Sequence, residues 1–260
     1  MGSINKKDSP QMKLNNKTIL ITGASSGIGY ELAIQLAATN RLVLIARREE
    51  LLTDLINKLP KRDHLHFKCD VGDYESVKNI FQILTDQKVQ IDVAILNAGI
   101  SISFDPFNMS IERIQQVINI NFFGVINVIE RLLPGMRQKN EGLIAATGSL
   151  AGYRGMPTAA PYSASKSAMA TFLESLRIDY LKTGVKFTLI SPGFVLTPMT
   201  AHKNKFMPFL MTPEKAAQII IRGLEKEKTE IHFPYSLSLI AKLGRLIPDR
   251  IYARLMHGRH

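Results

Sequence analysis

The chain has little of what would place it outside the cell or in a metal-dependent class. It contains a single cysteine, Cys69, so no internal disulfide framework is available. In the run His66-Phe67-Lys68-Cys69-Asp70 that thiol has no partner at metal-ligand spacing. These features point to a reducing, cytoplasmic setting and give no metal site. Met1 to Gln11 lacks the apolar core of a secretion signal, and Gly2 is not followed by Ser or Thr at position 6 as myristoylation requires. Residues 1–15 read as a flexible tail. No internal repeat or low-complexity linker divides the remainder.

Acidic residues are also in short supply: 33 Lys and Arg against 22 Asp and Glu give a formal charge of +11. Basic proteins often meet nucleic acid or anionic membranes. Here the basic pairs Lys6-Lys7, Arg47-Arg48 and Lys61-Arg62 are scattered, with no continuous stripe and no interleaved aromatics. A solvated basic surface is the plainer reading, and no nucleic-acid partner is expected. The C-terminal segment is the exception and is taken up below.

What is present suits one α/β domain: 260 residues, 45% apolar and 21% charged, enough to bury a large core. Short β-branched apolar runs alternate with longer segments of helical period, the pattern of a parallel sheet covered on both faces. Strands are predicted at Thr18 to Thr22, Leu42 to Ala46, Leu65 to Cys69, Val93 to Leu96, Leu143 to Thr147, Lys186 to Ile190 and Glu230 to Phe233. Helices are predicted near Ile28 to Ala38, Glu49 to Lys58, Tyr74 to Thr85, Ile111 to Met136, Ser163 to Thr183 and Pro213 to Glu225. The expected fold is a Rossmann-type, doubly wound, mostly parallel seven-stranded sheet occupying residues 16–234. In such folds ligands sit beyond the carboxyl ends of the strands.

The segments after those strand ends carry the chemistry. Thr22-Gly23-Ala24-Ser25-Ser26-Gly27-Ile28-Gly29 leads from the first strand into the first helix, exposing backbone N–H groups at the positive end of a helix dipole, which suits a pyrophosphate. Gly23 would permit the turn, Gly27 would let backbone approach phosphate, and Gly29 would let the helix lie close on the strand. The spacing is not the G-x-G-x-x-G fingerprint, and a plain turn is the alternative. After the second strand, where an NAD site places an acid against the ribose 2′-hydroxyl, stand Arg47 and Arg48. Arg47, and less surely Arg48, can pair with a 2′-phosphate, so NADP is favoured over NAD, with two exposed loop arginines as the alternative. Asp70-Val71 and Asn97-Ala98-Gly99 follow the third and fourth strands as short polar turns able to edge an adenine.

Beyond the fifth strand come Thr147-Gly148-Ser149 and, thirteen residues after Ser149, Tyr162-Ser163-Ala164-Ser165-Lys166. Tyr162 and Lys166 share a helix face, and a neighbouring ammonium lowers a phenol's pKa toward neutrality. The same spacing in Tyr74-Glu75-Ser76-Val77-Lys78 has no upstream Ser at a strand end and reads as a solvated face. Tyr162 differs in having Ser149 and Asn121 available to complete a site.

Taken together, Thr22 to Gly29, Asn97-Ala98-Gly99, Asn121 in Asn-Phe-Phe-Gly, Ser149, Tyr162-x3-Lys166 and Pro192-Gly193 resemble the short-chain dehydrogenase/reductase superfamily over about residues 16–233. The resemblance implies that Ser149 holds a substrate carbonyl and Tyr162 donates the proton. It further implies that Lys166 tunes Tyr162 and bonds the nicotinamide ribose, and that Asn121 supports a proton-relay water. Pro192, Gly193, Val195 and Thr197 would meet the nicotinamide end, with Ser25, Ser26 and Ile28 in the cofactor turn. Leu96 stands where many members carry an asparagine, a departure that would loosen the structural turn. Family members often pair through the long helices matching Ile111 to Met136 and Ser163 to Thr183, so a homodimer or homotetramer is expected.

Apolar residues near the expected cleft suggest the substrate. Met199, Phe206, Met207, Phe209, Leu210 and Met211 lie where the family places a lid, and Ile100, Ile102, Phe104 and Phe107 follow the fourth strand toward the same cleft. The reading is an NADP(H)-dependent oxidoreductase interconverting a carbonyl and a secondary alcohol on an apolar, lipid-like substrate. An NAD-dependent member, or a non-catalytic cofactor-sensing interaction protein, is the alternative. In residues 235–260, Leu237, Ile240, Ala241, Ile247, Ile251 and Leu255 follow helical spacing among Lys242, Arg245, Arg250, Arg254 and Arg259. That extension reads either as amphipathic helices closing over the cleft or a neighbouring subunit, or as a basic segment resting on an anionic membrane.

Overall fold

The computed structural model describes residues 13–201 and 207–257; the expectations placed on Met1 to Gln11, Phe206 and Arg259 lie outside the described residues. A seven-stranded parallel sheet runs in the order β3-β2-β1-β4-β5-β6-β7. Its strands are β1 (Thr18–Thr22), β2 (Arg41–Ala46), β3 (Leu65–Lys68), β4 (Val93–Leu96), β5 (Gly142–Thr147), β6 (Val185–Pro192) and β7 (Glu230–Phe233). The helices are α1 (Gly27–Leu36), α2 (Glu49–Lys58), α3 (Tyr74–Asp86), α4 (Ile111–Ile118), α5 (Gly124–Lys139), α6 (Ala160–Asp179), α7 (Pro213–Glu225), α8 (Tyr235–Gly244) and α9 (Asp249–His257).

Strand side chains alternate between faces, and the sheet divides its core accordingly. Ile19 and Ile21 of β1 join a cluster with Leu32 and Leu36 of α1, Leu52 and Leu55 of α2, and Ile220 and Leu224 of α7. Leu20, between them, joins Val77 and Ile80 of α3, Val128 and Leu132 of α5, and Met169 and Leu173 of α6 on the opposite face. Both faces are dry, so the strands read as unbroken apolar runs rather than alternating ones. Three helices, α3, α4 and α7, start on a side-chain cap. Asp73 accepts from Glu75 N, Ser110 accepts from Arg113 N although no capping-box acid stands at Arg113, and Thr212 accepts from Lys215 N ahead of Pro213.

Strand order reverses between β1 and β4, which open a crevice at their carboxyl ends where Thr22 and Leu96 are register partners. The largest departure from expectation is in Ile111 to Met136. It is not one helix: α4 and α5 are separated by a π-helical turn, Asn119–Phe123. Such turns insert an extra residue in the hydrogen-bond ring and recur at functional sites. Here the turn carries Asn121. Hydrophobic periodicity does not register it, because Val117, Ile120, Val125 and Val128 are all apolar and buried across it.

The extension after β7 forms α8 and α9, packed against β7 and the loop after β5. Arg154 Nη1 donates to the carbonyls of Gly244 and Ile247, its Nη2 pairs with Asp249 at 2.6 Å, and Tyr252 Oη donates to Gly155 O at 2.8 Å. The guanidinium also lies 4.0 Å from the centre of the Tyr252 ring.

Candidate active site

At the β1–α1 turn, Gly23 and Gly27 adopt φ of +67° and +59°, a region open to glycine and strained for other residues. A Cβ on Gly23 would also stand 2.8 Å from Ala98 Cα, and one on Gly29 would strike the carbonyl of Gly23, so the helix lies close against the strand. Gly27 faces Thr197, whose methyl would sit 2.9 Å from an added Cβ. Its open side therefore brings the loop after β6 close to the turn. Ser26, the N-cap of α1, makes no side-chain cap hydrogen bond. The first-turn amides of α1 are thus left without a side-chain acceptor, which fits an anionic group such as a pyrophosphate.

A cleft of about 590 Å³ opens over this turn and collects nearly every expected cofactor contact: Gly23, Ser25, Ser26, Gly27, Ile28, Arg47, Arg48, Asp70, Val71, Asn97, Ala98, Gly99, Tyr162, Lys166, Pro192, Gly193, Val195 and Thr197. Gly29, Ser149 and Asn121 are not part of its lining. The two arginines separate. Arg48 Nη2 donates to Ser25 Oγ at 3.0 Å and Ser26 Oγ at 2.9 Å, whereas Arg47 turns to Asp70 at 3.7 Å. Arg48 therefore lies against the glycine turn, and Arg47 beside a carboxylate.

The Asn97-Ala98-Gly99 turn is held from both sides. Thr22 Oγ1 accepts from Ala98 N at 3.1 Å, and Thr147 Oγ1 donates to Asn97 Oδ1 at 3.3 Å. Leu96, 1% exposed, packs into the core as the last residue of β4, so the expected loosening is not seen.

Beneath this turn lies the polar cluster. Lys166 Nζ donates to the carbonyl of Thr147 at 2.7 Å and stands 5.8 Å from the centre of the Tyr162 ring. Burial with no anionic partner pulls the Lys166 ammonium down to about 8. Burial raises the Tyr162 phenol, while a hydrogen bond from Ser149 opposes the rise. Without cofactor the ammonium is directed at the Thr147 carbonyl, and Ser149 is the group that favours the phenolate. Ser149 Oγ also accepts from Ala151 N at 3.1 Å, starting the short 3₁₀ turn Leu150–Gly152.

Asn121 is fully buried. Its Oδ1 accepts from Ile100 N at 2.8 Å, and its Nδ2 donates to Ile100 O at 2.9 Å and Ser165 Oγ at 3.1 Å. The amide thus braces the segment after Gly99 against α6, and the geometry makes Asn121 a positioning residue. A Cβ at Gly99 would lie 3.2 Å from Asn121 Oδ1 and 3.4 Å from Lys166 Nζ, so this turn passes close to both. The control motif behaves as a surface pair: Tyr74 is exposed against Arg131, and Lys78 pairs with Glu75. Cys69 lines the cleft, but burial pushes its thiol up to about 12, so it is not a thiolate.

The apolar residues expected to wall the substrate side do not all converge. Ile100 and Met199 line the main cleft. Ile102 and Phe104 line a separate cavity of about 350 Å³ beside Pro161, with Ser103, Asp105, Asn108 and Arg113. Phe107 is 98% exposed. Met211 turns back to bridge Val195, which ties off the loop that begins after β6. Leu237, named in the C-terminal extension, and Leu150 and Pro234, which were not expected at the site, all approach the open side of Gly193 within 3.3 Å of where a Cβ would stand. The helical spacing of Leu237 was the available signal.

A glycine turn at a sheet switch point, set opposite a serine, a tyrosine and a buried lysine, is the arrangement of a dinucleotide-dependent oxidoreductase. The short chain dehydrogenase family profile matches residues 17–208. An uncharacterized oxidoreductase of Myxococcus xanthus is 31% identical over 252 residues, covering 92% of this chain and 96% of that protein. An NADP-dependent 3-hydroxy acid dehydrogenase of Schizosaccharomyces pombe is 31% identical over 84% of this chain and 91% of its own length. Among solved structures, an alcohol dehydrogenase from Thermococcus sibiricus complexed with 5-hydroxy-NADP superposes with a TM-score of 0.76 at 25% identity, covering 84% of this chain and 96% of that one. The chain belongs to the short-chain dehydrogenase/reductase superfamily.

Proposed function

We propose that this protein is an NADP(H)-dependent reductase or dehydrogenase that interconverts a carbonyl and a secondary alcohol on an apolar substrate. The observation that carries the cofactor choice is the placement of Arg48 on Ser25 and Ser26. It supplies a guanidinium and two hydroxyls beside the glycine turn, and no acid occupies the end of β2 where a ribose 2′-hydroxyl would need one. The relative named for NADP-dependent 3-hydroxy acid oxidation and the neighbour solved with an NADP derivative agree with this reading.

The nicotinamide cofactor supplies or accepts the hydride, and the chain handles position and proton. The first-turn amides of α1 would hold the pyrophosphate, and Asp70 and Val71 would face the adenine. Pro192, Gly193, Val195 and Thr197 form the nicotinamide end. Ser149 Oγ holds the substrate oxygen, and Tyr162 Oη delivers a proton to it in reduction and removes it in oxidation. Lys166, drawn down to about 8 by burial, retains its charge at neutral pH. An anionic or hydrogen-bond-accepting ligand beside it would raise its pKa again. Asn121 holds the Gly99–Ile100 backbone in place. Leu150, Leu237, Ile100 and Met199 exclude water from the reacting centre. The long helices α5 and α6 provide the surfaces for pairing as a homodimer or homotetramer.

Replacing Arg48 tests the cofactor reading. Arg48→Asp should lower kcat/KM for NADPH by about a hundredfold, the scale of losing a charge-assisted phosphate contact, while NADH changes by less than about tenfold. Arg47→Ala should have the smaller effect on NADPH. Equal use of both cofactors by the parent, or insensitivity to Arg48, would overturn the assignment.

A further inference from the structure

The helices after β7 are fixed to the body by one face and leave the other open. On the inner side Ser238 is fully buried, Lys242 Nζ pairs with Glu230 at 2.7 Å, and Tyr252 reaches Gly155. The outer side of α8 shows Tyr235, Leu239 and Leu243 at four-residue spacing, with Ile240 beside them and Leu246 just past the helix end. They are 72%, 46%, 54%, 62% and 79% exposed, respectively. On α9, Ile251 and Leu255 are likewise half exposed or more. Arg250 and Arg254 lie one position before them at the same spacing, and Arg245 sits between the helices; all three arginines are exposed.

Both acids of this region are paired, half-buried Glu230 with Lys242 and the exposed Asp249 with Arg154. The open face is therefore apolar with a positive border, a pattern that complements an anionic lipid headgroup layer above an acyl boundary. A globular partner would also cover apolar surface. The combination of six large apolar side chains on two short helices, a seventh at Leu246 between them, and interspersed arginines matches a negatively charged, greasy surface. We propose that the outer face of α8 and α9 is a docking surface for an anionic lipid bilayer. Arg154, which holds both helices and lies between Ser149 and Tyr162 in sequence, places that surface next to the loop leading into the catalytic helix.

The experiment is sedimentation of the full chain with vesicles of phosphatidylcholine alone and of phosphatidylcholine mixed with phosphatidylglycerol. Binding to the anionic vesicles at low salt, weakened by added salt, is expected. Replacing Arg245, Arg250 and Arg254 together by Gln should weaken it by about a hundredfold, and Leu243→Asp with Leu246→Asp should abolish it. NADPH binding and thermal melting check that each variant is folded. The Arg set alters only exposed side chains and keeps the test available if the Leu pair does not fold. Failure of the parent to sediment with anionic vesicles, or equal binding by folded variants, overturns the proposal. So does a parent that ignores vesicles but loses a dimer on Leu243→Asp, which would assign the face to a second copy. None of these readouts depends on turnover, so they stand or fall separately from the proposed reaction.

Discussion

Lys166 sets function against stability, and the conflict can be measured in the cofactor-free protein. The side chain is 4% exposed and its ammonium has no anionic partner. Burial therefore lowers its pKa from 10.5 to about 8. That drop corresponds to about 3 kcal/mol of cost for carrying the charge in the folded state at neutral pH. A folded pKa below the unfolded one means that the unfolded chain binds the extra proton between about 8 and 10.5, so stability rises with pH across that window. The cost is present in full below about 8 and is gone above 10.5. Replacing Lys166 by Met removes it, and also removes the hydrogen bond to the Thr147 carbonyl, worth about 1 kcal/mol. The net expectation at pH 7 is a gain of about 2 kcal/mol, or about 4–8 °C in melting temperature for a chain of this size. The gain should shrink as pH rises through the window and change sign near its top, where the neutral amine of the parent still donates to Thr147. Chemical denaturation of both proteins without cofactor, from pH 7 to pH 10, reads the difference directly, because other titrating groups cancel between them. A less stable Met variant at pH 7, or a stability difference that does not vary with pH, would refute the account of Lys166 as a buried, unmatched charge.

Other outcomes follow from the same geometry. Asn121→Ala should cost about 2–4 kcal/mol, since it strips buried hydrogen bonds from Ile100 and Ser165 and leaves a small cavity, as read by denaturant titration. It should also lower kcat more than it raises the Kd for NADPH, and Asn121→Asp, which can still accept from Ile100 N, should recover part of the stability. Tyr74→Phe should leave turnover and cofactor affinity unchanged in parallel assays, since its hydroxyl meets only Arg131 and Glu130 on the surface.

Much of the fold could be read from the chain because a parallel sheet buried on both faces writes itself in short β-branched runs. β1, β4 and β7 have the expected bounds, and the others differ by one or two residues where capping geometry decides the end. The π turn at Asn119–Phe123 was not legible, since an added residue in the hydrogen-bond ring leaves the apolar stripe intact. Positions in the glycine turn were legible because backbone conformation restricts the residue type. The division of labour between Arg47 and Arg48 was not, because it depends on Asp70 and Ser25, which lie far away in sequence and close in space. The same limit hid Leu150 and Pro234, which only the packing of α8 against the loop after β5 brings to Gly193; Leu237 was legible by its helical spacing, but its place at Gly193 was not. Phe107 shows the converse: proximity in sequence to Ile100 suggested a wall of the cleft, and the chain instead turns it to solvent.

The central claim is that Tyr162 delivers the proton in a carbonyl reduction driven by NADPH. The most direct measurement follows NADPH absorbance over a panel of apolar ketones, with the parent and Tyr162→Phe compared on whichever ketone turns over. The account predicts measurable turnover by the parent, a loss of about a thousandfold or more in kcat for Tyr162→Phe, within the range that general acid catalysis provides, and an NADPH Kd within about threefold of the parent. Turnover by the variant within a few-fold of the parent would contradict it.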